Sequence, residues 1–324
     1  MIRLAVPSDT HVAVVIPAYK VAAQIAEVIA RIPKEVWRIY VVDDHCPQGS
    51  GDHVVGNCPD ARIVVLRHVG NQGVGGAVMT GYEAALKDGA HVIVKIDGDG
   101  QMDPDLMNRF VAPILSGEAD YTKGNRFFDL DTMQTMPMVR LIGNAILSFI
   151  NKVSTGYWDI FDPTNGYTAI HANVVSRLPL QKISRRYFFE SDMLFRLSIL
   201  RAVVRDVPMN ASYGNETSNL SVSKVAPEFL CKHIRNLCKR IFYNYYLRDM
   251  TVASFQLPIG IALSLGGAIY GAYHWLAFAA AGAPAPTGTI VLPVMCILVG
   301  TQLLLAFIDN DVNSVPRRPI QALY

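Results

Sequence analysis

Residues 251–308 contain no Asp, Glu, Lys or Arg. A run of 58 uncharged residues is unusual for the core of a soluble domain. It is long enough for two passes through a hydrocarbon layer about 30 Å thick, at about 1.5 Å of helix rise per residue. The run divides at GAPAPTGT, where Gly282, Pro284 and Pro286 stop a helix, leaving residues 255–281 and 290–308 as the expected spans. A helical hairpin buried in a soluble core is the alternative. The rest of the chain is ordinary. The first 250 residues hold 27 of the 29 basic and 25 of the 27 acidic side chains, so the overall 17% of charged residues averages two unlike parts. Two spans exclude a multi-pass transporter, and the composition excludes a fibrous or disordered chain. MIRLAVPSDTHV lacks the apolar run of a signal peptide.

Charge at the flanks sets an expected orientation. Residues 217–249 carry Lys224, Lys232, Arg235, Lys239, Arg240 and Arg248 against Glu228 and Asp249, and Arg317 and Arg318 follow the second span. The loop between the spans has no charge. The positive-inside rule therefore places the soluble part and both ends of the chain in the cytoplasm. Within the basic flank, Leu230, Ile234, Leu237, Ile241 and Tyr245 recur at spacings of three and four, the pattern of an amphipathic helix lying on a membrane surface. A solvated helix packed on the soluble domain is the alternative. Gly260, Ser264, Gly267 and Gly271 allow close helix approach in the first span and point to a homo-oligomer. Five cysteines without a CxxC suit a reducing compartment, and a net charge of +2 gives no reason to expect nucleic acid.

The first 210 residues alternate short apolar strands with helices. Strands are expected at residues 11–17, 37–43, 63–66 and 91–96, with helices at 21–31, 73–87 and 104–115. This is the pattern of a parallel sheet covered on both faces, and ligands of such sheets bind beyond the carboxyl ends of the strands. Those ends carry Pro17 and Tyr19, Asp43 and Asp44, and Asp97 and Asp99. No GxGxxG follows the first strand and no Walker A motif is present, so dinucleotide and P-loop chemistry are excluded. Asp97, Asp99 and Gln101 in IDGDGQ offer hard oxygen ligands suited to Mg²⁺ or Mn²⁺. An EF-hand would need a glutamate at its twelfth position, which is Asn108 here.

Taken together, VVIPAY, IYVVDD, GNQGVGGAVMTGY, IDGDGQMDP, GNRF, FDPTNGY and FFESD, followed by two spans, resemble the family 2 glycosyltransferases of GT-A fold. Among these the chain is similar to the polyprenyl-phosphate glycosyltransferases. The resemblance implies an α/β catalytic domain with a mostly parallel sheet over residues 1–215. Amphipathic juxtamembrane helices over 216–250 and two transmembrane helices over 251–324 would follow. It implies transfer of one sugar from a UDP- or GDP-sugar to a polyprenyl phosphate, with inversion and with Mg²⁺ or Mn²⁺. By the same resemblance Asp97, Asp99 and Gln101 hold the metal and diphosphate, and Asp44, Pro17 and Tyr19 wall the nucleobase pocket. Arg126 lies near the phosphates, Arg140 meets the acceptor phosphate, and Asp162 stands near the transfer centre. Glu190 and Asp192 border the sugar pocket. Two departures stand out. PAYKV replaces the usual PAYNE-like motif, and NASYGNETSNLSVSK lacks the arginine that precedes a GxSK-like motif, so that Lys224 or another group supplies its charge. A processive polysaccharide synthase would need more spans and a QxxRW-like signature. A non-catalytic scaffold would be expected to have lost its acids.

Overall fold

A computed structural model describes residues 9–128, 138–209 and 222–323. The chain forms two compact units. One comprises Met1–Leu237 together with Pro316–Tyr324, and the other Cys238–Val315.

The first unit is built on seven strands: β1 (Val12–Ala18), β2 (Arg38–Asp43), β3 (Ile63–Arg67), β4 (Val92–Lys95), β5 (Tyr121–Asn125), β6 (Thr168–His171) and β7 (Val204–Pro208). Their order across the sheet is β3-β2-β1-β4-β6-β5-β7. Only β6 runs antiparallel to its neighbours. The four strands expected from apolar runs are β1 to β4, with ends shifted by no more than one residue. Helices α1 (Ile25–Ala30), α2 (Ser50–Asn57), α3 (Val74–Lys87) and α4 (Met107–Leu115) connect them. Val14, Ile16, Ile39, Val41, Val92 and Val94 are buried, because helices cover both faces and no strand can alternate apolar with polar residues. This is the GT-A-like arrangement, a mostly parallel sheet flanked by helices.

Two helices, one within this unit and one that runs out of it, expose large apolar side chains and bury polar ones. In Met138–Thr155, Met138, Ile142, Ile146 and Phe149 are exposed, while Ser148, Asn151, Ser154 and Thr155 are buried. In Val222–Phe242, Leu230 and Ile234 are exposed, while His233 and Asn236 are buried. Most of these buried polar groups pair with one another or with the domain, though Ser148 Oγ and His233 Nε2 find no partner among the described residues. Ser154 Oγ lies 2.8 Å from His233 Nδ1, and the Asn151 amide donates to Ser191 Oγ at 2.9 Å.

The second unit contains Val252–Ala281 and Thr287–Asn313, both long and apolar enough to cross a membrane. Only 22% and 17% of their most apolar windows are buried, which does not fit a hairpin enclosed in a soluble core. The small-residue stripe expected to mediate self-association is used inside this hairpin. A Cβ on Gly267 would lie 2.9 Å from the carbonyl oxygen of Pro293, and one on Gly260 would lie 3.0 Å from that of Gly300. Where the two helices leave the apolar run, Arg240 and Tyr245 meet Asp311. Arg240 Nη1 and Nη2 donate to the two carboxylate oxygens at 2.6 and 3.0 Å, and the Tyr245 hydroxyl donates at 2.7 Å.

Gly267→Leu should therefore destabilise the hairpin by about 1–3 kcal/mol, the usual cost of forcing a side chain into a packed contact. Gly266, with open space where its Cβ would stand, should accept the same change without loss. Thermal melts of both variants in mild detergent make the comparison, and equal melting would show that the helices do not pack through this face.

Candidate active site

Parallel strands bring their carboxyl ends to one edge, and there the sheet gathers its acids. Ala18 is in register with Asp43 across β1 and β2, and Val15 with Lys95 across β1 and β4. Because β6 runs the other way, the loop preceding it arrives at the same edge: Lys95 is in register with Thr168, and Thr168 with Lys123 of β5. Arg126 follows β5 there, and Asp162 precedes β6.

The first charge cluster centres on a residue that motif comparison passes over. Lys95 is 1% exposed, and its ammonium lies 2.7 Å from Asp97 Oδ1 and 3.9 Å from Glu190 Oε1. Burial works against the ammonium, yet Asp97 and Glu190 hold it protonated above the ordinary lysine range. Burial likewise pushes the Glu190 carboxyl up, with Lys95 pulling it back. Like charges at one sheet edge are best tolerated with a cation between them, and for Asp97 the chain supplies one itself. Gly166 closes over the pair, since a Cβ there would run into Lys95 Nζ and stand 2.8 Å from Asp97 Oδ2. The sequence signal for Lys95 is its place in HVIVKI. A lysine inside a strand buried on both faces needs carboxylate partners.

The second cluster is Arg126 with Asp162. The guanidinium grips the carboxylate through Nε at 2.7 Å and Nη2 at 2.8 Å, and the Arg126 backbone N–H adds a third bond at 3.2 Å. Asp162 is 2% exposed, and its backbone sits in the left-handed region at φ 48°, a strained conformation typical of functional loops. Burial alone would raise its pKa. Hydrogen bonds and charge from Arg126, with Lys123 behind, reverse this and hold the carboxyl below its usual range. Lys123 anchors the same loop by donating to the carbonyl of Phe161 at 2.7 Å.

The remaining expected residues are placed as follows. Asp44 is buried, and its carboxylate accepts from the backbone N–H of Gln72 and Gly73 at 2.8 and 2.7 Å. His68 Nδ1 lies 2.7 Å from it. Asp44 thus fixes the glycine-rich turn that opens α3. Asp43 accepts from the N–H groups of Cys46 and Gly51, both at 2.7 Å, and so ties the start of α2. Asp192 accepts from the Ser184 N–H at 2.9 Å and the Asn236 amide at 3.3 Å, which binds helix Val222–Phe242 to the domain. Tyr19 is half-exposed beyond β1, while Pro17 remains within the strand. Asp99 Oδ1 accepts the Gln101 N–H at 3.0 Å. Arg140 falls in the first turn of Met138–Thr155 and Lys224 in the first turn of Val222–Phe242; both side chains lie outside the described residues, as does most of NASYGNETSNLSVSK.

Among the described residues no three His, Cys, Asp or Glu side chains form a metal cage. The donor set nevertheless suits a cation of the magnesium type. Such an ion binds through one or two carboxylates and completes its shell with water and substrate phosphates, and Asp97 and Asp99 present oxygens on one turn at the sheet edge.

Comparison with known proteins agrees with this geometry. Residues 13–178 match the family described as Glycosyl transferase family 2. The UDP-N-acetylglucosamine–dolichyl-phosphate N-acetylglucosaminyltransferase of Methanococcus voltae is 27% identical over 224 residues, covering 64% of this chain and 87% of that protein. The undecaprenyl-phosphate mannosyltransferase of Micrococcus luteus is 29% identical over 203 residues, covering 61% and 82%. Glucosyl-3-phosphoglycerate synthase from Mycobacterium tuberculosis, solved with Mn²⁺, UDP-glucose and phosphoglyceric acid, superposes with a TM-score of 0.51 at 18% identity, covering 72% and 80%. At that identity it shares the fold.

The Arg126–Asp162 pair has a signature in pH. A depressed folded-state pKa gives stability that is complete above the ordinary carboxylate range and lost as pH falls through the lowered value. Arg126→Met leaves a buried carboxylate without its partner, which should cost on the order of 3 kcal/mol at neutral pH. The gap between wild type and variant should widen as pH rises from about 3 to 7, because the buried Asp162 without its arginine keeps its proton to higher pH than the wild-type carboxyl does. Urea melts across that range provide the measurement, and a gap independent of pH would show that the pair is not an ionic one.

Proposed function

The chain belongs to glycosyl transferase family 2, and on that premise we propose that it transfers a single sugar from a UDP- or GDP-sugar to a polyprenyl phosphate at the cytoplasmic face of a membrane. The observation that carries this reading is the reversed polarity of helices Met138–Thr155 and Val222–Phe242. Four large apolar side chains on the first and three on the second, Leu230, Ile234 and Phe242, are exposed. In water this arrangement is costly, whereas against lipid it is the expected one. A transferase domain that shows such a surface, in one chain with two helices fit to span a bilayer, suits an acceptor that stays in the bilayer. Two relatives named for dolichyl and undecaprenyl phosphate support the same acceptor class. Their sugars differ, and the sugar carried here is left to assay.

The chemistry follows from the two charge clusters. Asp97, Asp99 and Gln101 would hold Mg²⁺ or Mn²⁺ together with the donor diphosphate. The bound ion would neutralise charge on the departing nucleoside diphosphate. Lys95 holds Asp97 in place through their 2.7 Å ion pair. Asp44 holds the turn at the base side of the donor pocket, walled also by Pro17 and Tyr19, and Glu190 and Asp192 border the sugar. Arg126 and Asp162 stand at the transfer centre. Arg140, on the lipid-facing helix, receives the acceptor phosphate, with Lys224 a second positive group. Direct attack by a phosphate oxygen on the anomeric carbon breaks its bond to the diphosphate and inverts the configuration. The basic flanks support a hairpin with both ends in the cytoplasm.

Purified protein incubated with undecaprenyl phosphate and a panel of UDP- and GDP-sugars should yield one lipid-linked sugar, in a reaction stopped by EDTA. Asp99→Asn should lower turnover at least 100-fold while leaving the melting temperature unchanged. Full activity in EDTA would refute metal-assisted departure.

Arg140→Ala should raise KM for the lipid phosphate while calorimetric binding of the nucleotide-sugar stays intact. An equal loss of donor affinity would move Arg140 to the donor side of the site.

A further inference from the structure

After the second span the chain does not trail away. Helix Thr287–Asn313 ends, the chain passes Pro316 and Pro319, and the next residues dock on the catalytic unit. The backbone N–H groups of Ile320 and Gln321 donate to the two oxygens of Asp120 at 2.9 and 2.8 Å. The Gln321 side-chain amide donates to the carbonyls of Ala119 and Ile114 at 2.8 and 3.0 Å. In return the Asn173 amide donates to the Gln321 carbonyl at 3.3 Å. Gln321 is 8% exposed and Asp120 is fully buried.

Asp120 explains why this is a slot and not a casual contact. A buried carboxylate needs several donors. Of the three backbone N–H groups that Asp120 accepts, the domain supplies only one, from Val203 at 2.7 Å. The other two come from the segment beyond the membrane hairpin. Asp120 precedes β5, and Arg126 follows it, so the slot lies at the sheet edge opposite the acids and touches none of the residues assigned to chemistry.

We propose that residues 320–321 form a second tether, clasped by Asp120, which fixes the catalytic unit to the membrane hairpin at both ends of that hairpin. The first attachment is the helix Val222–Phe242, which runs from one unit into the other. A domain held by one helix can pivot about it, while a domain held at two points loses most of that freedom. The leash is short: six residues, 314–319, two of them proline, reach at most about 20 Å when extended. Its consequence rests on the function proposed above: the tether limits the orientations in which a membrane-bound phosphate meets the site.

The test lengthens the leash without emptying the slot. About twenty Gly and Ser residues inserted between Val315 and Pro316 add a flexible reach of roughly 25 Å and leave the docking sequence intact. In nanodiscs, this variant should keep the Ile320 and Gln321 amides protected from hydrogen exchange and keep its affinity for the donor. Its KM for the lipid phosphate should rise at least fivefold. A companion variant, Ile320→Pro with Gln321→Ala, should lose the protection and show the same rise in KM. Rapid exchange of both amides in the wild-type protein would overturn the tether. Unchanged lipid KM after the insertion would reduce the slot to local packing and overturn its proposed role. If the wild-type protein fails to glycosylate lipid phosphate, the functional consequence falls with that reading, while the exchange measurement still decides whether the tether exists.

Discussion

Removing a carboxylate from water costs several kcal/mol unless donors or a cation meet it, and one edge of this sheet gathers Asp43, Asp44, Asp97, Asp162 and Glu190. How each is compensated determines how the site is built. Backbone N–H groups at the start of α2 and in the turn before α3 answer Asp43 and Asp44, so these two acids shape the loops around a donor. Lys95 answers Asp97 and lies near Glu190, which links β4 to helix Phe189–Leu200. Arg126 answers Asp162 and joins the end of β5 to the loop before β6. The acids thereby act as cross-links between connections that are far apart in sequence. An uncompensated edge would spread apart by repulsion. A compensated one is preorganised, which is the condition for electrostatic catalysis at low reorganisation cost.

Much of this architecture is legible in the sequence, for identifiable reasons. The four parallel strands β1 to β4 are continuous apolar runs closed by proline, aspartate or turn residues, and the two long apolar helices follow from the uncharged run and its Gly/Pro break. Strands β5 to β7 escape such reading. β5 is YTKGN, whose lysine and asparagine look like loop chemistry until Asp206 and Asp162 are seen around them. Asp97, Asp99, Arg126 and Asp162 can be found as motif residues, but the pairing of Arg126 with Asp162 cannot, because 36 positions separate them. Lys95 was equally visible, two positions before Asp97, yet it belongs to no motif. Its role follows only from asking what pairs a lysine in a strand with no wet face.

The reversed helices and the glycine stripe show one principle at two scales. In Met138–Thr155 an ordinary heptad-like pattern is present, and periodicity alone would turn its apolar face toward the core. The domain instead takes the polar face, because Asn151 finds Ser191 there and Ser154 finds His233. Periodicity identifies a two-faced helix but not which face is wet. In Val252–Ala281 the small residues mark a face of close approach, and they equally leave its partner unspecified. The structure supplies Pro293 and Gly300 from the neighbouring helix of the same chain. In both cases the pattern fixes the kind of contact, and the partner is fixed by what lies within reach.

The Arg126–Asp162 pair also bears on the kind of acceptor that such a site can serve. A transferase acting on a hydroxyl needs a base whose pKa lies near the working pH. Asp162 is held below the carboxylate range by an arginine that occupies both of its oxygens, so it accepts a proton poorly. Glu190 is shifted the other way but stands beside Lys95 and Asp97, on the donor side of the edge. Asp206, close to the pair, is also pushed up by burial, but its oxygens are taken by the Asn125 amide, the Phe161 N–H and the Lys123 ammonium. A phosphate acceptor removes the requirement, since its oxygen is already anionic when it arrives. What it needs instead is a positive surface to lower its repulsion from the donor diphosphate, and fixed dipoles to orient it. Arg126 and the loop that Asp162 braces meet that description, with the buried Lys123 adding positive charge from behind. The electrostatics of the pair therefore favour a nucleophile that brings its own charge, consistent with a lipid phosphate and unfavourable for a neutral alcohol.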